Sequence, residues 1–502
     1  MNSEQITKGN ETKRPLVLAS VMIGMFLSAI EATIVATAMP NIVADLGGFS
    51  LYSWVFSAYL LTMATTVLIF GKLSDVFGRK PIYIIGVIVF LSGSTLSGFS
   101  VTMEMLIMSR FIQGIGAGAL MPIATTIVGD IYSVEERAKI QGYLSSIWGI
   151  SAVSGPLLGG FFVDVLNWRY VFWMNIPLGI LAVLGIYFFF HERIERERQP
   201  IDYIGTILTV IMISTLMYIL VEGGLSIAWT SMTMFILVSI VIVSFGLFVW
   251  QERKAKEPMM PLFLWKHRLI TIANLASLTT GMILIGVTSY LPAFVQGVMG
   301  KSATIAGFSL TSMSIGWPIA STIAGRALLV IGYRKTSFIG AISLVIGSIF
   351  FFTLTPEKGP VWAGIGSYFI GTGMGMATTS FVVGIQSHVN WEVRGIATAT
   401  NMFMRSLGSA IGAAFLGGLL NNHIHQMIIE RNMEDKVSVD TVNQLLDPIE
   451  AKQLTPEIMR LLKEGLSGGL HIVYTGLLLL AIISLLFIYL MPKDDAIKRE
   501  NN

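Results

Sequence analysis

A short run of glycine and charge, Gly71-Lys72-Leu73-Ser74-Asp75-Val76-Phe77-Gly78-Arg79-Lys80-Pro81, separates two long apolar segments, Trp54–Phe70 and Ile82–Phe99. Apolar segments of about 20 residues cross a hydrocarbon core as helices, and so short a connection allows only an antiparallel pair. Gly71 and Gly78 let the backbones turn and approach, and Asp75 shares the turn with Lys72, Arg79 and Lys80. Only 13% of the 502 residues are charged and 54% are hydrophobic, with mean hydropathy +0.72. A soluble domain carries about 25% charged residues, so much of this chain must face lipid. The absence of cysteine removes disulfides, thiolate chemistry and cysteine-ligated metals. A net charge of +3 is too small to imply a nucleic-acid partner. The polar segment Met1–Pro15 precedes an apolar run too long for a signal-peptide core, which reads as a first span that stays in place.

The pattern predicts an all-α membrane protein with fourteen spans, at 16–39, 52–71, 81–100, 104–129, 139–163, 170–190, 203–222, 229–250, 269–298, 303–328, 336–354, 361–386, 394–420 and 469–491. Most of the 33 Lys and Arg fall in alternate connections, whereas the short connections of the other set hold only Arg169, Lys301 and Lys358. Cytoplasmic loops retain the cations, so both termini are expected in the cytoplasm of a bacterial-type cell membrane. The long outer segment 421–468, with Ile424, Met427, Ile428, then Val442, Leu445, Leu446, then Ile458, Leu461, Leu462 at helical spacing, predicts short amphipathic helices over the outer surface.

The chain also repeats itself. Gly71…Gly78-Arg79-Lys80 returns as Gly325…Gly332-Tyr333-Arg334-Lys335, Gly114-Ile115-Gly116-Ala117-Gly118 as Gly371-Thr372-Gly373-Met374-Gly375, and Leu158-Gly159-Gly160 as Leu416-Gly417-Gly418. The long period predicts two related six-span halves, 1–200 and 257–502, with two inserted spans in 201–256. The second copy keeps the glycines and loses the chemistry: Asp75 corresponds to Leu329, Arg110 to Ser367, and Gly155-Pro156 to Ala413-Ala414.

Intramembrane ionisable residues are costly and mark function. Glu31 in span 1 is such a group, with a structural hydrogen-bonded glutamate as the plain alternative. Arg110 in span 4 falls at a similar depth, because each lies a few turns from the outer end of its span at 1.5 Å per residue. Glu31 is therefore its natural acceptor, in a coupling role or a pure helix clamp. Gly149, Gly155, Pro156, Gly159 and Gly160 in span 5 combine a lost helix hydrogen bond with close approach, for a hinge or for ordinary packing. Arg405, mid-span, needs a partner: helix carbonyls, Glu31 or water. Glu104, Asp164 and Glu222 read as solvated ends, and His471 as interfacial. The glycine runs of spans 4 and 12 lie in apolar helices and are no nucleotide loops. His423 and His425 lack supporting metal ligands, and no hydrolytic constellation is present.

Five segments carry a resemblance: the loop Gly71–Pro81, Arg110–Gly118, Gly155-Pro156, Ile30–Pro40, and Asn167–Gly179 at the start of span 6. Over nearly its whole length the chain resembles the fourteen-span drug:proton antiporters of the major facilitator superfamily. It departs from the family's usual pattern with Glu31 in place of Asp and Ala36 in place of Asn, which bears on substrate more than on coupling. The resemblance implies two pseudo-symmetric six-helix bundles alternating around a central cavity, with Glu31 and Arg110 as the proton-coupling residues. Gly71, Asp75, Gly78, Arg79 and Lys80 would form the inner gate, Asp75 with Arg79 holding it shut. Gln113, Trp148, Tyr290, Trp317, Asn401 and Arg405 are the candidate cavity residues. The implied activity is export of lipophilic, often cationic compounds by a monomer that uses the proton gradient and no cofactor, and is not an enzyme. A dedicated exporter of a metal–tetracycline complex or monovalent cation, a lipid or a metabolite is the alternative, and a membrane sensor or scaffold a further one.

Overall fold

The computed structural model describes residues 12–132, 134–192, 202–255, 258, 260–389, 391–433, 436–446 and 450–492. The first seven helices are α1 (Arg14–Leu46), α2 (Tyr52–Phe77), α3 (Arg79–Gly98), α4 (Met103–Ile131), α5 (Val134–Val165), α6 (Tyr170–Trp173) and α7 (Asn175–Phe189). A hairpin follows, α8 (Tyr203–Glu222) and α9 (Met232–Lys254). The rest comprises α10 (Arg268–Ala293), α11 (Ala303–Phe352), α12 (Gly359–Ser387), α13 (Trp391–Glu430), α14 (Val442–Leu446) and α15 (Pro456–Tyr489). Strands are absent among the described residues, apart from an isolated bridge, Gly223–Ile227. The described residues are all-helical, and among them 12 helices are long and apolar enough to cross a membrane.

The expected count differs from this in two places. The apolar part of α5, Gly149–Val165, is shorter than the others. The second place is α11, which runs for 50 residues and breaks only at Gly332, whose φ of 79° is left-handed. Its two limbs flank α12 in opposite senses. Gly371 and Gly375 abut Met313 and Trp317, while Gly366 and Gly373 abut Gly347 and Gly340. The chain therefore reverses at Gly332, as it does at Gly78 (φ 97°) between α2 and α3. Glycine is needed at both points because an L side chain is strained at positive φ.

The segment 421–468 forms a short surface helix only at its middle stripe, Val442, Leu445 and Leu446, in α14. α13 continues to Glu430 and α15 begins at Pro456, and the apolar stripes read as surface helices pack on each other, Met427 and Ile424 against Gly465. Periodicity gives a helix its face but not the point where it leaves the bilayer, hence the misplacement. Only the short stretch bearing α14 crosses the end of the molecule, where Asp440 Oδ1 accepts the Ser50 N–H at 2.9 Å.

The two halves meet through α2 with α13 and α5 with α11. Between described residues, every hydrogen bond joining them lies in the part away from the termini. Tyr52 donates to Ser289 O (2.6 Å) and stacks on Tyr290, Gln296 Nε2 donates to Thr37 O (3.0 Å), Asn421 Nδ2 donates to Ser50 O (2.6 Å), and Asp164 accepts the Thr304 N–H (3.0 Å) and hydroxyl. At the other end the bonds between described residues stay within one half: Arg79 Nε pairs with Asp130 (2.8 Å), Lys80 Nζ donates to Tyr187 O and Phe190 O, and Arg334 donates to Tyr489 O. The molecule is sealed at the end opposite its termini.

Candidate functional site

Glu31 lies inside α1 and Arg110 inside α4, both about 1% exposed. Their side chains form an ion pair, Arg110 Nη1 to Glu31 Oε1, so the depth argument made from sequence and the observed pairing agree. The rest of the first half completes the network. Arg110 Nη1 donates to Gln113 Oε1 at 2.7 Å and Nε to Val55 O at 3.4 Å, and its guanidinium sits 4.2 Å over the Tyr59 ring. Asn175 Nδ2, at the start of α7, donates to Glu31 Oε2 (3.0 Å) and to Ser94 Oγ (2.9 Å). Ser94 in turn donates to Phe172 O. A buried ion pair holds only when its remaining donors and acceptors are met, and here helices α1, α2, α3, α4 and α7 supply them. Gln113 Nε2 and Asn175 Oδ1 are buried without a protein partner, leaving capacity for one more hydrogen-bonding species beside the carboxylate.

Sequence reasoning missed Asn175, Ser94 and Tyr59. Asn175 falls within a quoted segment, but small polar residues are common at helix packing faces and carry no signal until a charge lies opposite.

The glycine–proline run of α5 links this network to the seal. A side chain on Gly155 would strike Thr33 Oγ1 and one on Gly159 the Ile34 carbonyl, both on α1 within a turn of Glu31. Gly160 lies against the Thr304 backbone, and Gly307 against Pro156 O, across the halves. Gly149 makes only ordinary contact with Pro318.

The loop residues divide. Gly78 makes the turn, and the Arg79 and Lys80 N–H groups donate to the two Glu192 oxygens. Gly71 has nothing near the place a Cβ would take, and neither has Gly325, so the expected close packing at Gly71 is absent in this conformation. The Lys72, Asp75 and Trp148 side chains lie outside the described residues.

Of the candidate cavity residues, Gln113 belongs to the ion-pair network. Tyr290 is buried in the seal with its hydroxyl donating to Ala413 O, so it packs rather than lines an open space. Asn401 donates to Asn274 Oδ1 (3.0 Å) and Ser277 Oγ (2.9 Å), a neutral cluster between α10 and α13. Trp317 is half-buried, and so is Arg405, which does not reach Glu31. An apolar cavity of about 180 Å³ lies instead between the hairpin and α13, lined by Met212, Phe248, Met260, Trp265, Phe403 and Met404 among others.

A bundle of long apolar helices, bonded together at one end and holding a buried ion pair apart from that seal, has the layout of a secondary transporter. The sequence profile of the Major Facilitator Superfamily matches residues 21–413. The chain belongs to that superfamily. It is 34% identical to the multidrug transporter protein MdtP of Bacillus subtilis, over 97% of this chain and 94% of that one. To multidrug resistance protein 3 of the same organism it is also 34% identical, over 97% of each. Among solved structures, the inward-facing, unoccupied bacterial homologue of the human lysosomal transporter Spinster superposes with TM-score 0.68 at 15% identity, covering 97% of this chain and 98% of the other. A D-xylose–proton symporter superposes with TM-score 0.62 at 12% identity, covering 96% and 99%.

Proposed function

We propose that this protein exports lipophilic, amphipathic small molecules across the cytoplasmic membrane in exchange for protons. The observation that carries the reading is the Glu31–Arg110 pair, the one ion pair among the described residues with both partners buried. The names of its relatives support multidrug export.

The reading includes fourteen crossings, the two limbs of α11 and the whole of α5 each taken as one. It divides the chain at 1–200, 201–256 and 257–502, as a monomer with both termini in the cytoplasm. The bias of Lys and Arg toward the terminus side supports that orientation, and the described conformation is then open inward.

A proton on Glu31 cancels the charge that holds Arg110, and the pair loosens. Thr33 and Ile34, against Gly155 and Gly159, pass the change from α1 to α5, whose Gly160 and Pro156 bear on α11 across the seal. Protonation thereby biases the seal, and deprotonation inside resets it. In the opposite state, Gly71 and Gly325, uncovered here, come under cover as the inner ends meet, with Asp75 and Arg79 as the latch.

The test is drug-dependent proton movement in vesicles with an imposed pH gradient. Coupled export abolished in Glu31→Gln, with drug binding retained, supports the reading. Coupled export that survives Glu31→Gln puts the proton site elsewhere.

A further inference from the structure

Arg405 stands roughly 20 Å along α13 from its start, at 1.5 Å per residue, and its backbone touches Gly281 near the middle of α10. It is therefore at mid-membrane depth. Its guanidinium has no hydrogen-bond or ion-pair partner among the described residues, and Glu31, the acid nearest its depth, is occupied by Arg110.

Successive helix residues turn by about 100°, which fixes where Arg405 points. Thr400, Phe403, Met404 and Leu407 face the hairpin. Asn401 and Gly408 face α10, and Gly417, farther out, meets Ser53 of α2. Met402 and Arg405 fill the remaining sector, between α10 and α2, and Met402 is 47% exposed. On the inward-open reading proposed above, that sector opens on the cleft between the halves.

Charge then decides what the cleft accepts. Of the 30 acidic residues, Glu31 alone lies in the apolar part of a span, whereas two cations, Arg110 and Arg405, do so. With Glu31 neutralising Arg110, one positive charge has no counter-ion among the described residues, in a medium that screens poorly. A permanent monocation entering the cleft is repelled. A ligand with a carboxylate brings the missing counter-ion, and a guanidinium binds it in a fork of two charge-assisted hydrogen bonds.

We infer that Arg405 docks an anionic group of the exported compound, so that amphipathic acids and zwitterions are preferred to the permanent cations expected from the resemblance. The inference rests on the export reading above and deepens it.

The experiment uses rhodamine B, which carries a free carboxylate, and its ethyl ester, a permanent cation on the same xanthene. Binding to the purified full chain in lipid nanodiscs is read by fluorescence anisotropy, and export in energised vesicles. Wild type is expected to bind the acid at least about tenfold more tightly than the ester. Arg405→Gln should weaken the acid about tenfold or more and tighten the ester, reversing the order, while Arg405→Lys keeps the preference for the acid in reduced form.

An ester bound as tightly as the acid by wild type overturns the inference, as does an acid affinity unmoved in Arg405→Gln. If Arg405→Gln does not fold, Arg405→Lys decides: a retained acid preference supports the assignment, and equal weakening of both dyes makes Arg405 a packing residue. Export of neither dye, with the binding preference intact, defeats the export reading and leaves the docking role standing. Export of the ester without acid preference does the reverse.

Discussion

The two halves are built on the same glycine framework and treat charge in opposite ways. In the first, five helices converge on Glu31 and Arg110 and satisfy the pair from all sides. In the second, Asn401, Asn274 and Ser277 form a neutral cluster that can neither gain nor lose a proton, and Arg405 has no counter-ion among the described residues. Backbone approach is what both copies need to move as rigid bundles, so the glycines recur. In the exchange proposed above, a proton site is needed once, and only the first copy holds a buried carboxylate among the described residues. On the proposals above, the other copy presents a fixed charge to cargo, and the difference would separate energy input from recognition.

The largest effect should follow from breaking the charged side of this comparison. Glu31→Gln is expected to lower coupled export about a hundredfold, the scale on which loss of a proton-transfer group acts, measured as drug uptake into inverted vesicles. Arg110→Ala leaves a buried carboxylate unpaired and should cost about 3–5 kcal/mol, read from thermal unfolding in detergent. A similar loss on removing Asn401 would erase the distinction between the halves.

Next in size is the link between the halves. A side chain on Gly160 would lie 2.6 Å from Thr304 Cα, so Gly160→Leu should prevent the seal and reduce export about tenfold, because packed backbones do not yield. The chain has no cysteine, so Thr37→Cys reports directly. Buried now, it should react with an impermeant maleimide from outside when Gly160→Leu is added. Asn401→Ala removes two hydrogen bonds at a net cost of about 1–2 kcal/mol, seen as a modest fall in melting temperature with coupling retained. Smallest of all, Asp440→Ala removes one exposed bond to Ser50 and should change stability by about 1 kcal/mol or less.

Much of this was readable from the chain because charge inside a membrane has few places to go. Glu31 and Arg110 could be matched by depth alone, and the repeat placed the glycine contacts of α4 and α12. The limits were equally physical. Tyr290 has the look of a cavity aromatic, and only its bond to Ala413 O and its stack on Tyr52 assign it to the seal. Asn175 and Ser94 are ordinary until a carboxylate faces them. The stripe Ile458, Leu461, Leu462 is the same whether its helix lies flat or rises from the bilayer, and the contact between the α13 and α15 extensions decided it.

Gly78 and Gly332 have a mechanical consequence. At each, two long helices are joined by a single reversed residue, so there is no slack between them. A hinge needs compliance, and these joints offer almost none in length. Any tilt imposed on α2 or on the first limb of α11 at its reversal point is passed directly to its partner. In the alternation proposed above, each pair would act as a stiff lever with its fulcrum at the seal, so that a small shift near Glu31 is magnified toward the far end of the helices.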